Sequence, residues 1–152
     1  MTRACAHTLE VSPLRRVDRA RWDVLARGYK TFYETRLSDA EYDHAWARLM
    51  RGEGIFGLGA RLEGRLVGIT HYLFHAGTWS ADVCYLQDLF VDASVRGQGV
   101  ARALIDGVAA EARRRGAPRL YWLTHQDNAT ARTLYDKVAA FRGFLRYDHP
   151  MR

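Results

Sequence analysis

Cysteine is nearly missing from this chain: Cys5 and Cys84 are the only two in 152 residues. They lie far apart in unlike surroundings, which excludes a disulfide scaffold and predicts a reducing compartment. Long apolar runs are missing as well. Nothing approaches the ~20 consecutive apolar residues of a membrane-spanning helix, and no charged-then-apolar leader stands at the start. These absences predict a soluble, cytoplasmic protein with no membrane partner. Repeats and low-complexity linkers are absent too, so a single domain over 1–152 is expected, long enough to bury about two-thirds of its unfolded surface. Lysine is scarce, since 21 of the 23 basic residues are arginine, within a net charge of +6. The arginines are scattered among acids, and their one cluster, Arg113-Arg114-Arg115, closes a helix where cations offset the dipole. That distribution predicts no nucleic-acid partner, but a solvated basic surface or attraction to a phosphorylated small ligand. His71, His75 and His125 lack metal-ligand spacing and no Cys or Asp cluster joins them, so no metal is expected.

What is present alternates between strand and helix signals. Residues 8–14 predict a short strand. Asp18 is placed to cap a helix with Trp22, Leu25 and Ala26 on one face, ending near Gly28. Ser38 and Glu41 form a capping-box pattern before a helix carrying Tyr42, Ala45, Trp46 and Leu49, which stops before Gly52. Strands at 55–62 and 66–74 flank Glu63-Gly64-Arg65, a hairpin signal, and 83–91 reads as the next strand. A helix over about 99–115 stripes Ala101, Leu104, Ile105, Val108 and Ala112 along one side, and Gly116 with Pro118 ends it. Residues 119–124 read as a buried strand, Asn128 caps a last helix through Val138, and 141–147 closes the sheet. The expected fold is α/β of the α+β type. Its sheet is mixed, mostly antiparallel, of about six to seven strands, flanked by about four helices.

Between the strand at 83–91 and the helix from 99 lies Val95-Arg96-Gly97-Gln98-Gly99-Val100-Ala101. Two glycines one residue apart remove Cβ atoms where backbone amides must approach an anion. The helix that begins there points unpaired N–H groups and its positive dipole end at the same place. The segment therefore reads as a pyrophosphate-holding loop.

Three elements in this order resemble the GNAT superfamily of acetyl-CoA-dependent N-acetyltransferases, and the likeness covers nearly the whole chain. The family signature Arg/Gln-x-x-Gly-x-Gly/Ala is met by Arg96, Gly99 and Ala101. Leu86-Gln87-Asp88-Leu89-Phe90-Val91 looks like the family's fourth strand, and Asn128-x-x-Ala131-x-x-Leu134-Tyr135 matches its other recurring element. The pattern is most similar to small-amine members of the diamine acetyltransferase type. The resemblance implies acetyl-CoA as cosubstrate, no metal, and a small-molecule amine such as a polyamine or amino acid as acceptor. It implies that Gly97, Gln98, Gly99, Val100 and Ala101, with Arg96, bind the pyrophosphate. Backbone groups of Leu89, Phe90 and Val91 would pair with the pantetheine arm, one N–H polarising the thioester carbonyl. A strand used in this way needs an open edge, so a splay or bulge is expected near 88–91.

Tyr135 is the expected proton donor to the departing thiolate, although its spacing also suits packing beside Ala131, Leu134 and Val138. Asn128 is a helix cap first and a cofactor contact second. Where the resembling enzymes carry Glu, this chain has Gln87, which cannot take a proton from the amine. Asp88 is adjacent, but strand alternation turns it to the other face unless a bulge intervenes. Tyr33 and Glu34, between the first two helices, are substrate-binding candidates or ordinary exposed residues. Arg102 and Arg132 are open between cofactor phosphates and solvent. Cys84 is expected on the side of its strand away from the thioester, which leaves no placed nucleophile and implies direct transfer in a ternary complex. Three alternatives stay open: a protein amine as acceptor, a coenzyme A sensor without turnover, and a homodimer through the last strands in place of a monomer with a buried edge.

Overall fold

The computed structural model describes residues 8–152, so Cys5 lies outside the described residues. It divides at Trp122 and Leu123 into two compact units. The first carries β1 (Leu9–Pro13), α1 (Arg19–Phe32), α2 (Asp39–Arg51), β2 (Phe56–Leu62), β3 (Arg65–His75), β4 (Val83–Val91), α3 (Val100–Arg114) and β5 (Leu120–Tyr121). The second carries α4 (Ala129–Val138).

The sheet runs in the order β1-β2-β3-β4-β5, antiparallel except for the parallel pair β4–β5. It thus has five strands among the described residues, not six to seven. The expected closing strand at 141–147 is absent: that stretch has no regular secondary structure, with Phe141, Phe144 and Tyr147 at 74%, 84% and 88% exposure. Aromatic content gave it a strand's composition, but strand formation needs a pairing edge that sequence does not supply. The strand expected at 119–124 is only two residues long.

One face of the sheet meets α1 and α2. Trp22, Leu25, Tyr42, Leu49, Leu66 and Ile69 form the buried cluster there. The other face meets α3, whose Leu104, Val108 and Ala112 are almost wholly buried. α2 begins at the Ser38–Glu41 capping box and ends at Gly52 in the left-handed region, as its local signals require.

Two departures mark α1. Asp18 stands at its N-cap position but makes no side-chain cap bond there. Its carboxylate instead accepts from the Arg15 amide at 2.7 Å, closing a 3-10 turn over Arg16–Asp18, and pairs with Arg61 from β2. The helix also runs past Gly28 to Phe32. A Cβ at Gly28 would lie 2.9 Å from the Phe90 ring, so this glycine lets β4 approach the helix and does not end it.

Candidate active site

The decisive irregularity lies in β4. His71 pairs with Asp88 and Tyr72 with Leu86, which leaves Gln87 as an extra residue opposite the β3 step from 71 to 72. A bulge of this kind reverses the alternation downstream. Leu86 and Asp88, two residues apart, would otherwise share a face. Instead Leu86 faces α3, while Gln87 and Asp88 both reach a cavity of about 210 Å³ on the α1/α2 side. The condition set by strand alternation is therefore met. The bulge sits one residue before the expected stretch.

The same shift turns the backbone. The Asp92 N–H donates to the Val67 carbonyl at 2.8 Å, and the Asp88 carbonyl accepts from the Thr70 hydroxyl at 2.8 Å, so Asp88, Phe90 and Asp92 present their backbone to β3. By alternation Leu89 and Val91 present theirs to the opposite edge. β5 pairs there only with Cys84 and Tyr85, so β4 has parted from its strand neighbour before Leu89 is reached. Arg96 stands along that parted edge: its Nε donates to the Val91 carbonyl at 3.4 Å, and its guanidinium lies 5.7 Å from the Phe90 ring centroid.

α3 starts where this edge ends. Gly99 occupies the N-cap position at φ 79°, with no side-chain cap and no acid in the first turn. No heavy atom lies within 4 Å of where a Cβ would stand on Gly97 or Gly99. The first-turn amides thus meet open, uncapped space, the condition for seating an anion. These residues fit a pyrophosphate.

Inside the cavity, a residue that sequence reading weighed only as a metal ligand proves central. His71 bridges Trp22 and Asp88. The Trp22 indole N–H donates to His71 Nε2 at 3.0 Å, and His71 Nδ1 lies 2.9 Å from Asp88 Oδ2. An indole can only donate, so Nε2 is the acceptor and the proton sits on Nδ1, facing the carboxylate. Burial by itself would raise the Asp88 pKa. The hydrogen bond from His71, the Tyr29 hydroxyl and the charge of Lys30 outweigh it, and the carboxyl is held below its usual range. Tyr29 is pushed well above the ordinary phenol value by burial first and then by Asp88. It therefore remains a neutral donor. The signal for His71 was available in register terms: it lies on the face of β3 that Ile69 shares, across from the acid of β4, and Trp22 is on the buried stripe of α1.

Tyr29 and Lys30, not Tyr33 and Glu34, line the cavity among the described residues. Tyr33 follows α1 and packs against Tyr29 with ring centroids 4.9 Å apart and the rings tilted by 58°, and Glu34 is exposed at φ 53° in the connection to α2. Cys84 is buried on the α3 face, where burial pushes its thiol up to about 11, an unreactive state. In the second unit, Asn128 caps α4, accepting from the Ala131 amide at 3.4 Å, and Tyr135 lies within that helix. The Arg132 guanidinium donates to the Gln126 carbonyl at 2.8 Å. Among the described residues no three His, Cys, Asp or Glu gather as a metal site, and no helix is long and apolar enough to cross a membrane.

The site thus combines a mixed sheet whose fourth strand parts from the fifth with a helix that starts at a glycine beside that edge. The chain belongs to the GNAT acetyltransferase family, whose model matches residues 21–141. It is 42% identical over 77 residues to a D-amino-acid N-acetyltransferase of Saccharomyces cerevisiae, covering 50% of this chain and 48% of that protein. Over 71 residues it is 32% identical to a thialysine N-epsilon-acetyltransferase of Caenorhabditis elegans, covering 47% of this chain and 44% of the relative. The chain thus spans about half the length of the curated relatives it matches. The crystal structure of a ribosomal-protein-alanine N-acetyltransferase from Brucella melitensis biovar Abortus 2308 superposes with a TM-score of 0.81 at 24% identity, over 95% of this chain and 100% of that one. At that identity the likeness is one of fold.

Proposed function

We propose that this protein is an acetyl-CoA-dependent N-acetyltransferase that passes acetyl directly to a primary amine of a small molecule, in a ternary complex. The observation that carries the reading is the bulge at Gln87, which turns Asp88 into the cavity and the backbone of Leu89 and Val91 toward the parted edge in a single step. Relatives named for acetylating D-amino acids and thialysine support it.

When bound, acetyl-CoA supplies the acetyl group as a thioester. Arg96 and the amides from Gly97 to Ala101 hold its pyrophosphate, with Leu89, Phe90 and Val91 along its arm and Asn128 as a further contact. An alkylammonium is almost fully charged at neutral pH and must lose a proton to attack. Asp88, kept anionic by His71 and Tyr29, pairs with that ammonium and orients it. Gln87 can hydrogen-bond the amine or an ordered water but takes no proton, so the proton leaves through water at Asp88. The amine nitrogen bonds to the acetyl carbon while an open-edge N–H of Leu89 or Val91 stabilises charge on the carbonyl oxygen. The C–S bond breaks with its electron pair going to sulfur, Tyr135 protonates the sulfur, and the nitrogen sheds its second proton through water, which restores the Tyr135 phenol.

The exposed Phe141, Phe144, Leu145 and Tyr147 suit a homodimer that covers them, which extends the same reading. Thiol release from acetyl-CoA across polyamines, amino acids, aminoglycosides and lysine peptides, with Tyr135→Phe alongside, tests the proposal. Turnover on one class that falls sharply in the variant is the expected result. Tight acetyl-CoA binding with no thiol release on any amine would make the protein a coenzyme A sensor.

A further inference from the structure

The charges around the acceptor cavity are unequal. Asp88 is the only acid on its walls, whereas Lys30 of α1 and Arg48 of α2 both line it. Lys30 is half-buried, with its Nζ 5.5 Å from the Tyr29 ring centroid, and Arg48 is exposed. Neighbouring arginines on α1 are neutralised: Arg19 pairs with Asp23 and Asp43, and Arg27 with Asp23 and Asp39. Among the described residues no ion pair links Lys30 or Arg48 to a carboxylate, although the charge of Lys30 acts on Asp88. The helices therefore leave two cations without an ion-pair partner beside one half-buried anion.

A polyamine fits that pattern poorly. Its first ammonium can pair with Asp88, but a second would face Lys30 and Arg48, where like charges repel. An acceptor bearing both signs matches both ends. Resting on the transferase reading above, we propose that the acceptor is an amino acid, its amine held at Asp88 and its carboxylate at Lys30 and Arg48. Arg48 offers the planar fork that pairs with a carboxylate through two hydrogen bonds. The aromatic and aliphatic wall between the charged ends, from Tyr29, Tyr42, Leu49 and Ile69, accommodates the side chain or methylene linker.

The test compares each amino acid with the amine made by removing its carboxylate: alanine with ethylamine, lysine with cadaverine, phenylalanine with 2-phenylethylamine, in both enantiomers, plus spermidine. kcat/KM is read as thiol release at saturating acetyl-CoA, for the wild type and for Lys30→Met/Arg48→Met. The expected result is at least one amino acid preferred over its decarboxylated partner by about tenfold or more, as a site built for a polar group rejects an analogue lacking it. That preference should collapse toward unity in the double variant. Amines without the carboxylate turned over as well as the acids, or an undiminished ratio in the variant, would overturn the inference and leave acetyl transfer standing. If no amine of either kind releases thiol while acetyl-CoA binds, the transferase reading fails and this inference with it. Arg48 is exposed and Lys30 half-buried, and the wild-type ratio is decisive without any variant.

Discussion

At Asp18 and Arg61 two opposite charges are buried together, 7% and 2% exposed. Arg61 also donates to the Ser12 hydroxyl at 2.7 Å, while its Nε has no partner. Removing one member of a buried pair strands the other, which costs about 3–5 kcal/mol. Asp18→Ala should lower stability by that amount in urea unfolding, whereas a surface pair such as Arg146–Asp148 contributes at most about 1 kcal/mol. The Trp22–His71–Asp88 line makes a second prediction at this scale. Long-range ¹⁵N–¹H spectra should show His71 protonated at Nδ1 and bare at Nε2, and Trp22→Phe, which removes the donor to Nε2 but leaves Asp88 at Nδ1, should weaken that tautomer preference. A wild-type spectrum with the proton on Nε2 would refute the bridge. Neither pair was legible as a pair in the sequence. Arg61 lies near the end of β2 and His71 within β3, and their partners come from 43 and 17 residues away.

The elements owe their boundaries to signals of different range, and legibility followed that range. α2, with its capping box and left-handed glycine, and β4, with ends at Val83 and Val91, were readable because the determinants are local. Gly28 was misleading because its role is set by Phe90, a contact across the fold. The bulge at Gln87 was anticipated in kind from the need for an open edge, but its position depends on register against β3, and Leu86-Gln87-Asp88 carries no local mark of it. The start of α3 makes the sharpest prediction for an element. Gly99→Ala would introduce a Cβ into open space but at φ 79°, so stability should fall by only about 1–2 kcal/mol. Acetyl-CoA binding should weaken by more than that strain explains, on the order of tenfold or beyond, because the Cβ occupies the anion's approach. Calorimetric titration beside thermal unfolding separates the two effects.

For the whole molecule, acid behaviour follows from a carboxylate at the junction of β4 with α3. Asp92 is pushed down to about 2 by the Ser94 amide first, then by the Ser94 hydroxyl and Arg21. Its folded value lies below its ordinary 3.8, so its contribution is complete above about pH 4 and is lost as pH falls toward about 2. Glu41, at the α2 capping box, is shifted in the same direction. Stability measured from pH 7 to 2 should therefore decline mainly below pH 4, and Asp92→Asn should be less stable at neutral pH with a shallower decline. An unchanged acid limb in the variant would show that Asp92 is not its source. The net charge of +6 is consistent with attraction of an anionic ligand to the α3 start, and no nucleic acid is needed to account for it.

The proposed acetyl transfer depends on Asp88 being turned into the cavity, and Asp88→Asn, which keeps shape and removes charge, tests it most directly. Thiol release with the best amine should fall by about 10²–10⁴, while the dissociation constant for acetyl-CoA, bound along the parted edge and the α3 start, stays within about twofold of the wild type. Turnover that survives the substitution, or a loss of turnover matched by loss of acetyl-CoA binding, would contradict the placement of the acceptor site.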